Sequence, residues 1–128
     1  MKSEKGFTFI EVVIALAVLG IIAGGFLGGL TTASKGLMIA DERETANNLA
    51  EAQMEYVKNQ EYDSTNNPPQ YELLDYIPDG YSISVPMAER LDADGDGYLD
   101  EDEGIQKIAI TVRHNGKEVL TLEDYKVN

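Results

Sequence analysis

Carboxylates recur at short, regular intervals between residues 92 and 103. The segment reads Asp-Ala-Asp-Gly-Asp-Gly-Tyr-Leu-Asp-Glu-Asp-Glu and carries seven acidic side chains in twelve residues. Carboxylates at this density repel one another unless a cation is present. Their hard oxygen atoms suit Ca²⁺ better than Mg²⁺ or a transition metal. The residue types and spacing therefore predict calcium binding, and the alternative is a solvated acidic loop without a metal.

This segment resembles the EF-hand calcium loop at each position that the motif demands. Gly97 stands at the sixth position, where the backbone must turn sharply. Residues 87–91 leave room for only about one helical turn before the loop, and a strand is expected after it, so we predict a structural calcium staple rather than a paired sensor. The resemblance implies ligands from Asp92, Asp94, Asp96, the backbone carbonyl of Tyr98, Asp100 and Glu103.

Glu11 is the second candidate functional residue, because this carboxylate stands at the start of a long apolar run. Residues 12–34 contain no charged side chain, and these 23 positions are enough to cross a bilayer as a helix. A carboxylate in hydrocarbon must find a cation or become protonated. The alternative is that Glu11 lies at the headgroup level, near the positive end of the helix. Lys2 and Lys5 precede the run, which favours a cytoplasmic N-terminus.

Residues 5–11 read Lys-Gly-Phe-Thr-Phe-Ile-Glu. This stretch, with the apolar run behind it, resembles the N-terminus of type IV prepilins and of the pseudopilins of type II secretion systems. The resemblance implies that prepilin peptidase cuts the Gly6–Phe7 bond and methylates the new amino terminus at Phe7. It also implies that Glu11 pairs with the free amine of a neighbouring subunit's Phe7 and so sets the register of assembly. Gly28 stands where many members carry a proline, which leaves the position of any kink open.

Helical periodicity continues beyond the apolar run, because apolar residues recur at helical spacing as far as Val57. We expect one helix from about Phe7 to about Gln60, apolar all round in its first half and amphipathic in its second. Residues 71–76 fit either a helical turn or an extended segment. The predicted organisation is a leader at 1–6, a transmembrane or assembly half of the helix at 7–36, an amphipathic half at 37–62, and a small β head at 63–128 that contains the calcium loop 92–103.

Alternating patterns in the head predict strands. Apolar and polar residues alternate over residues 81–85, and Pro86 ends this pattern. They alternate again over residues 105–113, ahead of Asn115-Gly116, which is a strong hairpin signal. A less regular strand is expected over residues 119–127. The predicted fold class is α+β, with a long N-terminal helix packed on a small antiparallel sheet of about three strands.

Composition excludes several classes of function. The net charge is −13, with 23 acidic and 10 basic residues, which argues against direct binding to nucleic acid. There is no cysteine, so a metal is one remaining way to reinforce a head this small. The single histidine, His114, is expected to be an exposed hairpin residue. No arrangement of side chains predicts catalysis, so we expect a protein that is not an enzyme.

The resemblance implies a structural subunit of a type IV pilus-like filament, with a minor pilin or pseudopilin favoured over a major pilin. Its expected partners are other pilin or pseudopilin subunits, prepilin peptidase, an inner-membrane assembly platform and, before assembly, membrane lipid. The chain would cross the inner membrane once and later lie in an extracellular or periplasmic filament. The alternative is a membrane-anchored extracellular calcium-binding module that never polymerises. The glycines of the apolar run fit either close packing between helices or local melting.

Overall fold

The computed structural model describes residues 6–84, 87–92, 94, 95, 97 and 103–128. These residues form one helix and, after it, the strands of an antiparallel sheet, which confirms the predicted α+β fold class. The chain divides into two units, one ending at Ile39 and the other beginning at Ala40. The elements are α1 (Phe9–Asn59), β1 (Tyr81–Ile83), β2 (Met87–Arg90), β3 (Ile105–His114) and β4 (Lys117–Val127).

In the first unit, the helix carries apolar side chains on all sides. Every residue from Gly6 to Ile39 is exposed. Among the described residues, α1 is the helix that is long and apolar enough to cross a membrane. The hydroxyls of Thr31 and Thr32 donate to the carbonyls of Leu27 and Gly28, so they use acceptors within the helix itself. A helix that is apolar all round requires lipid or neighbouring helices around it.

In the second unit, the last part of α1 packs on the sheet. Its buried apolar residues recur at spacings of three and four, as one face of a helix requires. Ala46 and Ala50 are small, and small side chains let a helix lie close to the sheet. Each large apolar side chain buried in this core contributes about 1.5–3 kcal/mol to folding. The buried core consists of Ala46, Ala50, Met54, Val57, Tyr71, Ile83, Ala88, Ile108, Ile110 and Val112.

Strand β3 is the centre of the sheet. Strand β4 pairs with it along its whole length, from Ile105↔Val127 to His114↔Lys117. Strands β1 and β2 both pair with β3 as well, through Ile83↔Val112 and Arg90↔Gln106. Because β4 occupies one side of β3, β1 and β2 must share the other side and together form one interrupted edge strand.

This arrangement accounts for the difference between about three predicted strands and the four observed. The sequence predicts that the first strand ends at Pro86, which has no backbone N–H to donate to a ladder. Pairing with β3 resumes at Met87. The segment before the loop, which has room for only about one helical turn, is not helical, because residues 87–90 form a strand of this edge. The hairpin prediction is confirmed, with Asn115 and Gly116 at φ 50° and 81°, as the two central residues of a type I′ turn require.

Two glutamine side chains attach the segment that follows the helix. Gln53 is fully buried, donates through Nε2 to the carbonyl of Glu72 (2.9 Å) and accepts from the N–H of Leu74 at Oε1 (2.8 Å). Gln60 donates to the same carbonyl (3.1 Å) and accepts from the N–H of Glu72 (2.8 Å). Residues 71–76 are therefore neither helix nor strand, and side chains take the place of a backbone ladder.

The C-terminal end of α1 is held by a buried lysine. Lys126, on β4, is only 5% exposed. Its ammonium donates to the carbonyls of Val57 (2.9 Å), Lys58 (2.9 Å) and Gln60 (2.7 Å). An ammonium has three donors, and the last carbonyls of a helix lack the N–H groups of a following turn. Of the three, the carbonyl of Val57 also accepts from the backbone N–H of Gln60 (3.2 Å). A cation at this position also faces the negative end of the helix.

We expect Lys126→Met to lower the free energy of unfolding by about 2–4 kcal/mol, because three carbonyls at the end of α1 lose a charged donor while the side-chain volume is kept. The measurement is chemical unfolding of the full chain in detergent micelles. Lys117→Met is the matched control, since Lys117 lies on the same strand and is exposed. Equal stability of the two variants would contradict the capping role of Lys126.

Candidate functional site

The residues around the predicted cleavage bond lie outside the helix. Gly6, Phe7 and Thr8 are exposed and non-helical, and α1 begins at Phe9. The backbone carbonyl of Thr8 accepts from the N–H groups of Glu11 (3.1 Å) and Val12 (3.2 Å). The Thr8 hydroxyl also accepts from the Glu11 N–H (3.4 Å), so Thr8 is the N-cap of the helix.

Glu11 lies in the first turn of α1, on the face of an apolar groove. Its carboxylate is the charged group of that groove, and it stands where the helix N-terminus favours negative charge. The remaining lining is apolar, so a group that enters the groove meets one carboxylate in a hydrophobic setting. The groove is lined by Phe7, Glu11, Val12, Ala15, Leu16 and Leu19.

In the acidic loop, the structure brings together three of the predicted calcium ligands. Carboxylate oxygens of Asp92, Asp94 and Glu103 lie within 4.8 Å of one another. A single cation can contact all three at that separation, since calcium–oxygen distances are about 2.3–2.6 Å. The other predicted ligands, Asp96, Tyr98 and Asp100, lie outside the described residues.

Hydrogen bonds within the loop position the first ligand. Asp92 accepts from the backbone N–H of Gly95 (2.6 Å) through one carboxylate oxygen and from that of Gly97 (2.8 Å) through the other. Glu103 accepts from the N–H of Asp94 (3.0 Å), which joins the end of the loop to its beginning. Gly97 has φ 84°, the left-handed conformation that the sharp turn at this position was expected to require.

The ends of the loop are fixed by the sheet. The loop connects β2 to β3, which pair with each other, and the N–H of Leu91 donates to the carbonyl of Ile105 (3.3 Å). The C-terminal residue Asn128 donates its N–H to the carbonyl of Gly104 (2.9 Å). The loop therefore closes a β-hairpin, and the residue that follows it is hydrogen-bonded to the residue after β4.

A buried polar network supports the same end of the sheet. The hydroxyl of Tyr71 lies 2.5 Å from Oε1 of Gln106, a fully buried side chain on β3. Gln106 donates through Nε2 to the carbonyl of Asp63 (2.8 Å), whose N–H donates to the Tyr71 hydroxyl (3.3 Å). Arg90, on β2, donates to the carbonyls of Ser64 (2.8 Å) and Asn66 (3.1 Å). These bonds attach the loop after α1 to the strands that flank the acidic segment.

Asp63 organises that loop as an ionised carboxylate. Hydrogen bonds from the backbone N–H of Gln70, the side-chain amide of Asn66 and the backbone N–H groups of Asn66 and Thr65 hold the pKa of Asp63 well below its usual range. Because the folded-state pKa lies below the unfolded one, the stabilisation is complete above about pH 4 and is lost as the pH falls through the folded-state pKa.

We expect Asp63→Asn to lower the melting temperature at neutral pH by several degrees and to make the loss of stability below about pH 4 shallower. Both carboxylate oxygens of Asp63 accept hydrogen bonds. In asparagine one of these oxygens becomes an NH₂ group, which cannot accept and would face the N–H donors of the loop. Thermal melts of the full chain between pH 2 and 7 measure both effects. Asp75→Asn, at an exposed carboxylate in the following segment, is the control. Parallel pH curves for wild type and Asp63→Asn would refute this account.

His114 is not the exposed hairpin residue that the sequence predicts. Its ring is partly buried, its Nδ1 lies 2.6 Å from Oε1 of Glu42 on α1, and it stacks on Tyr81 with ring centroids 4.4 Å apart. Gly80 packs closely against the imidazole, because a Cβ there would lie 3.3 Å from His114 Nε2. Glu42 and His114 are 72 residues apart in the chain, so no local pattern could have paired them.

Residues 1–27 match the family model described as the prokaryotic N-terminal methylation motif. No curated protein and no solved structure matches the chain. The matched range contains Gly6, Phe7 and Glu11, and it points to a structural, pilin-like protein rather than an enzyme. Together with the exposed apolar helix, it fits a precursor anchored in a membrane. The match thus supports the class of type IV pilin-like proteins and pseudopilins for this chain.

Proposed function

We propose that this chain is a structural subunit of a type IV pilus-like filament, as a minor pilin or a pseudopilin. The observation that carries the proposal is the methylation motif at residues 1–27, which contains the start of an apolar helix that is exposed on all sides. Prepilin peptidase cuts the Gly6–Phe7 bond and methylates Phe7. The apolar half of α1 lies in the inner membrane before assembly and against other subunits afterwards, while the head is extracellular or periplasmic.

Glu11 gives the apolar helix its register within this proposal. A carboxylate in hydrocarbon needs a cation, and the new amino terminus of a neighbouring subunit supplies one. The groove beside Glu11 supports this role, because the other residues that line it, Phe7, Val12 and Leu16 among them, are apolar, and the described residues that line it include no cation for the carboxylate. Pairing then fixes the axial position of each subunit against the next.

The acidic loop acts in the proposal as a calcium staple for the head. Asp92, Asp94 and Glu103 would hold the ion together with Asp96, the carbonyl of Tyr98 and Asp100. The convergence of three carboxylates and the left-handed backbone at Gly97 support this ligand set. When bound, Ca²⁺ supplies positive charge that offsets the repulsion among the carboxylates and joins the two ends of the loop. The head contains no disulfide that could do the same.

The test of processing is the intact mass of the protein from its native host, combined with N-terminal peptide mapping. We expect a chain that begins at Phe7 and carries one additional methyl group. A chain that retains its leader would contradict the filament proposal and favour the membrane-anchored calcium-binding module, which gives no role to the Gly6–Phe7 bond.

A further inference from the structure

The helix N-terminus is built by side chains on both sides of the first turn. Thr8 at the N-cap and Glu11 three residues later form the residue pair of a capping box, and the hydroxyl of Thr8 lies 3.4 Å from the Glu11 N–H. Phe7 before the cap and Val12 in the first turn line the same groove, which is the placement of a hydrophobic staple. The residues that carry the processing motif are thus also a complete signal for starting a helix.

This signal starts the helix at a particular place relative to the bond that is cut. The N-cap has non-helical backbone angles, so α1 begins at Phe9, and the Gly6–Phe7 bond lies two residues before it. If the Thr8 hydroxyl were lost, the nearest upstream residue of a type favoured at the N-cap would be Gly6. A helix that began there would include Phe7 and bring the scissile bond to the helix boundary.

We propose that Thr8 is a positioning residue for processing: its N-cap keeps the Gly6–Phe7 bond outside the helix and open to the peptidase. The inference depends on the proposed function, because it assumes that this bond is cut. In the hydrolysis, the oxygen of water bonds to the carbonyl carbon of Gly6 and the C–N bond breaks. Gly6 leaves as a carboxylate and Phe7 as an amine that takes a proton. Attack on that carbonyl requires it to be accessible and free of a helical hydrogen bond, which non-helical backbone at residues 6–8 provides.

The experiment measures the cleavage rate of the purified full-length precursor by prepilin peptidase in detergent micelles, with mass spectrometry as the readout. We expect Thr8→Val, which keeps the shape of the side chain but removes the hydroxyl, to slow cleavage about threefold to tenfold. This is the change in an equilibrium that the usual stabilisation by an N-cap produces. Thr8→Ser and Thr8→Asp supply other N-caps and are expected to restore the rate. Thr31→Val is the matched control, because its hydroxyl donates to Leu27 inside the helix and caps nothing.

A second readout separates capping from direct recognition of the threonine. The Cα chemical shift of isotope-labelled Phe7 is expected to move towards helical values in Thr8→Val and to return in Thr8→Asp. Slow cleavage of both Thr8→Val and Thr8→Asp with an unchanged Phe7 shift would overturn the inference, because the peptidase would then contact Thr8 itself. Equal rates for wild type and Thr8→Val would also overturn it and leave the proposed function standing. An uncut wild-type precursor would overturn the proposed function and this inference with it.

Discussion

Replacing Glu11 with alanine is expected to reduce incorporation into filaments by roughly tenfold or more, while the leader is still removed. A tenfold change corresponds to about 1.4 kcal/mol for each subunit added, and loss of a charge pair in hydrocarbon exceeds that value. The structure places Glu11 in the first turn of α1, in a groove whose other lining residues are apolar. In the proposed filament, neutralising this position would remove the group that selects one axial arrangement over others.

Comparing Glu11→Ala with Glu11→Gln separates the charge of Glu11 from its place in the capping box. Glutamine also serves at the third position of a capping box, so Glu11→Gln keeps the helix start and removes only the charge. We therefore expect Glu11→Gln to be cut at the wild-type rate and yet to assemble poorly. Glu44→Ala is the control, since Glu44 is an exposed carboxylate later in α1. The measurement is the amount of each mature variant in sheared filaments relative to the membrane fraction, and wild-type incorporation of Glu11→Gln would refute the pairing role.

The sequence predicts those helices and strands that depend only on residues close together in the chain. The helix requires only its own periodicity, and the β3–β4 hairpin requires only Asn115-Gly116 between two alternating segments. The strand β2 is missed because it is four residues long and follows a proline. Pairing with β3 forms it, and that pairing is a property of the sheet rather than of residues 87–90.

Polar side chains that face the interior are the part of the head that the sequence does not reveal. Lys126 carries a charge, yet it is buried beneath the end of α1. Gln53 and Gln106 occupy core positions because their side chains bond to backbone groups far away in the chain. The partner of Gln53 is 19 residues away, and that of Gln106 is 43 residues away. Burial of such groups is tolerated only where partners exist, and those partners come from the fold. The same limit applies to the acidic loop, whose spacing predicts a ligand set but not its attachment to Asn128.

Calcium is expected to raise the melting temperature of the full chain in micelles by about 10 °C or more. At a concentration 100 times the dissociation constant, a ligand that binds only the folded state contributes about 2.7 kcal/mol. For a head of fewer than 100 residues, each kcal/mol corresponds to roughly 4–8 °C. The physical reason is that Asp92, Asp94 and Glu103 already converge within 4.8 Å, so the ion replaces repulsion by attraction at an existing cluster.

Glu103→Gln is expected to abolish that shift, because it removes the carboxylate that joins the end of the loop to Asp94. Glu101→Gln makes the same change of charge two residues earlier, at a position that supplies no ligand in the EF-hand pattern, and is expected to keep most of the shift. Magnesium at equal concentration controls for general screening of the −13 net charge. A shift produced equally by magnesium, or retained fully in Glu103→Gln, would mean that calcium acts on the charge of the head and not at this loop.

Hydrogen exchange gives the calcium prediction a local readout. The N–H of Asn128 donates to the carbonyl of Gly104, which directly follows Glu103. An ion that fixes Glu103 also fixes Gly104, so the terminal N–H should exchange more slowly when calcium is present. In Glu103→Gln, exchange at Asn128 should no longer depend on calcium. The same strand places Lys126 under the end of α1, so we expect a smaller, calcium-dependent slowing of exchange at Lys126 as well.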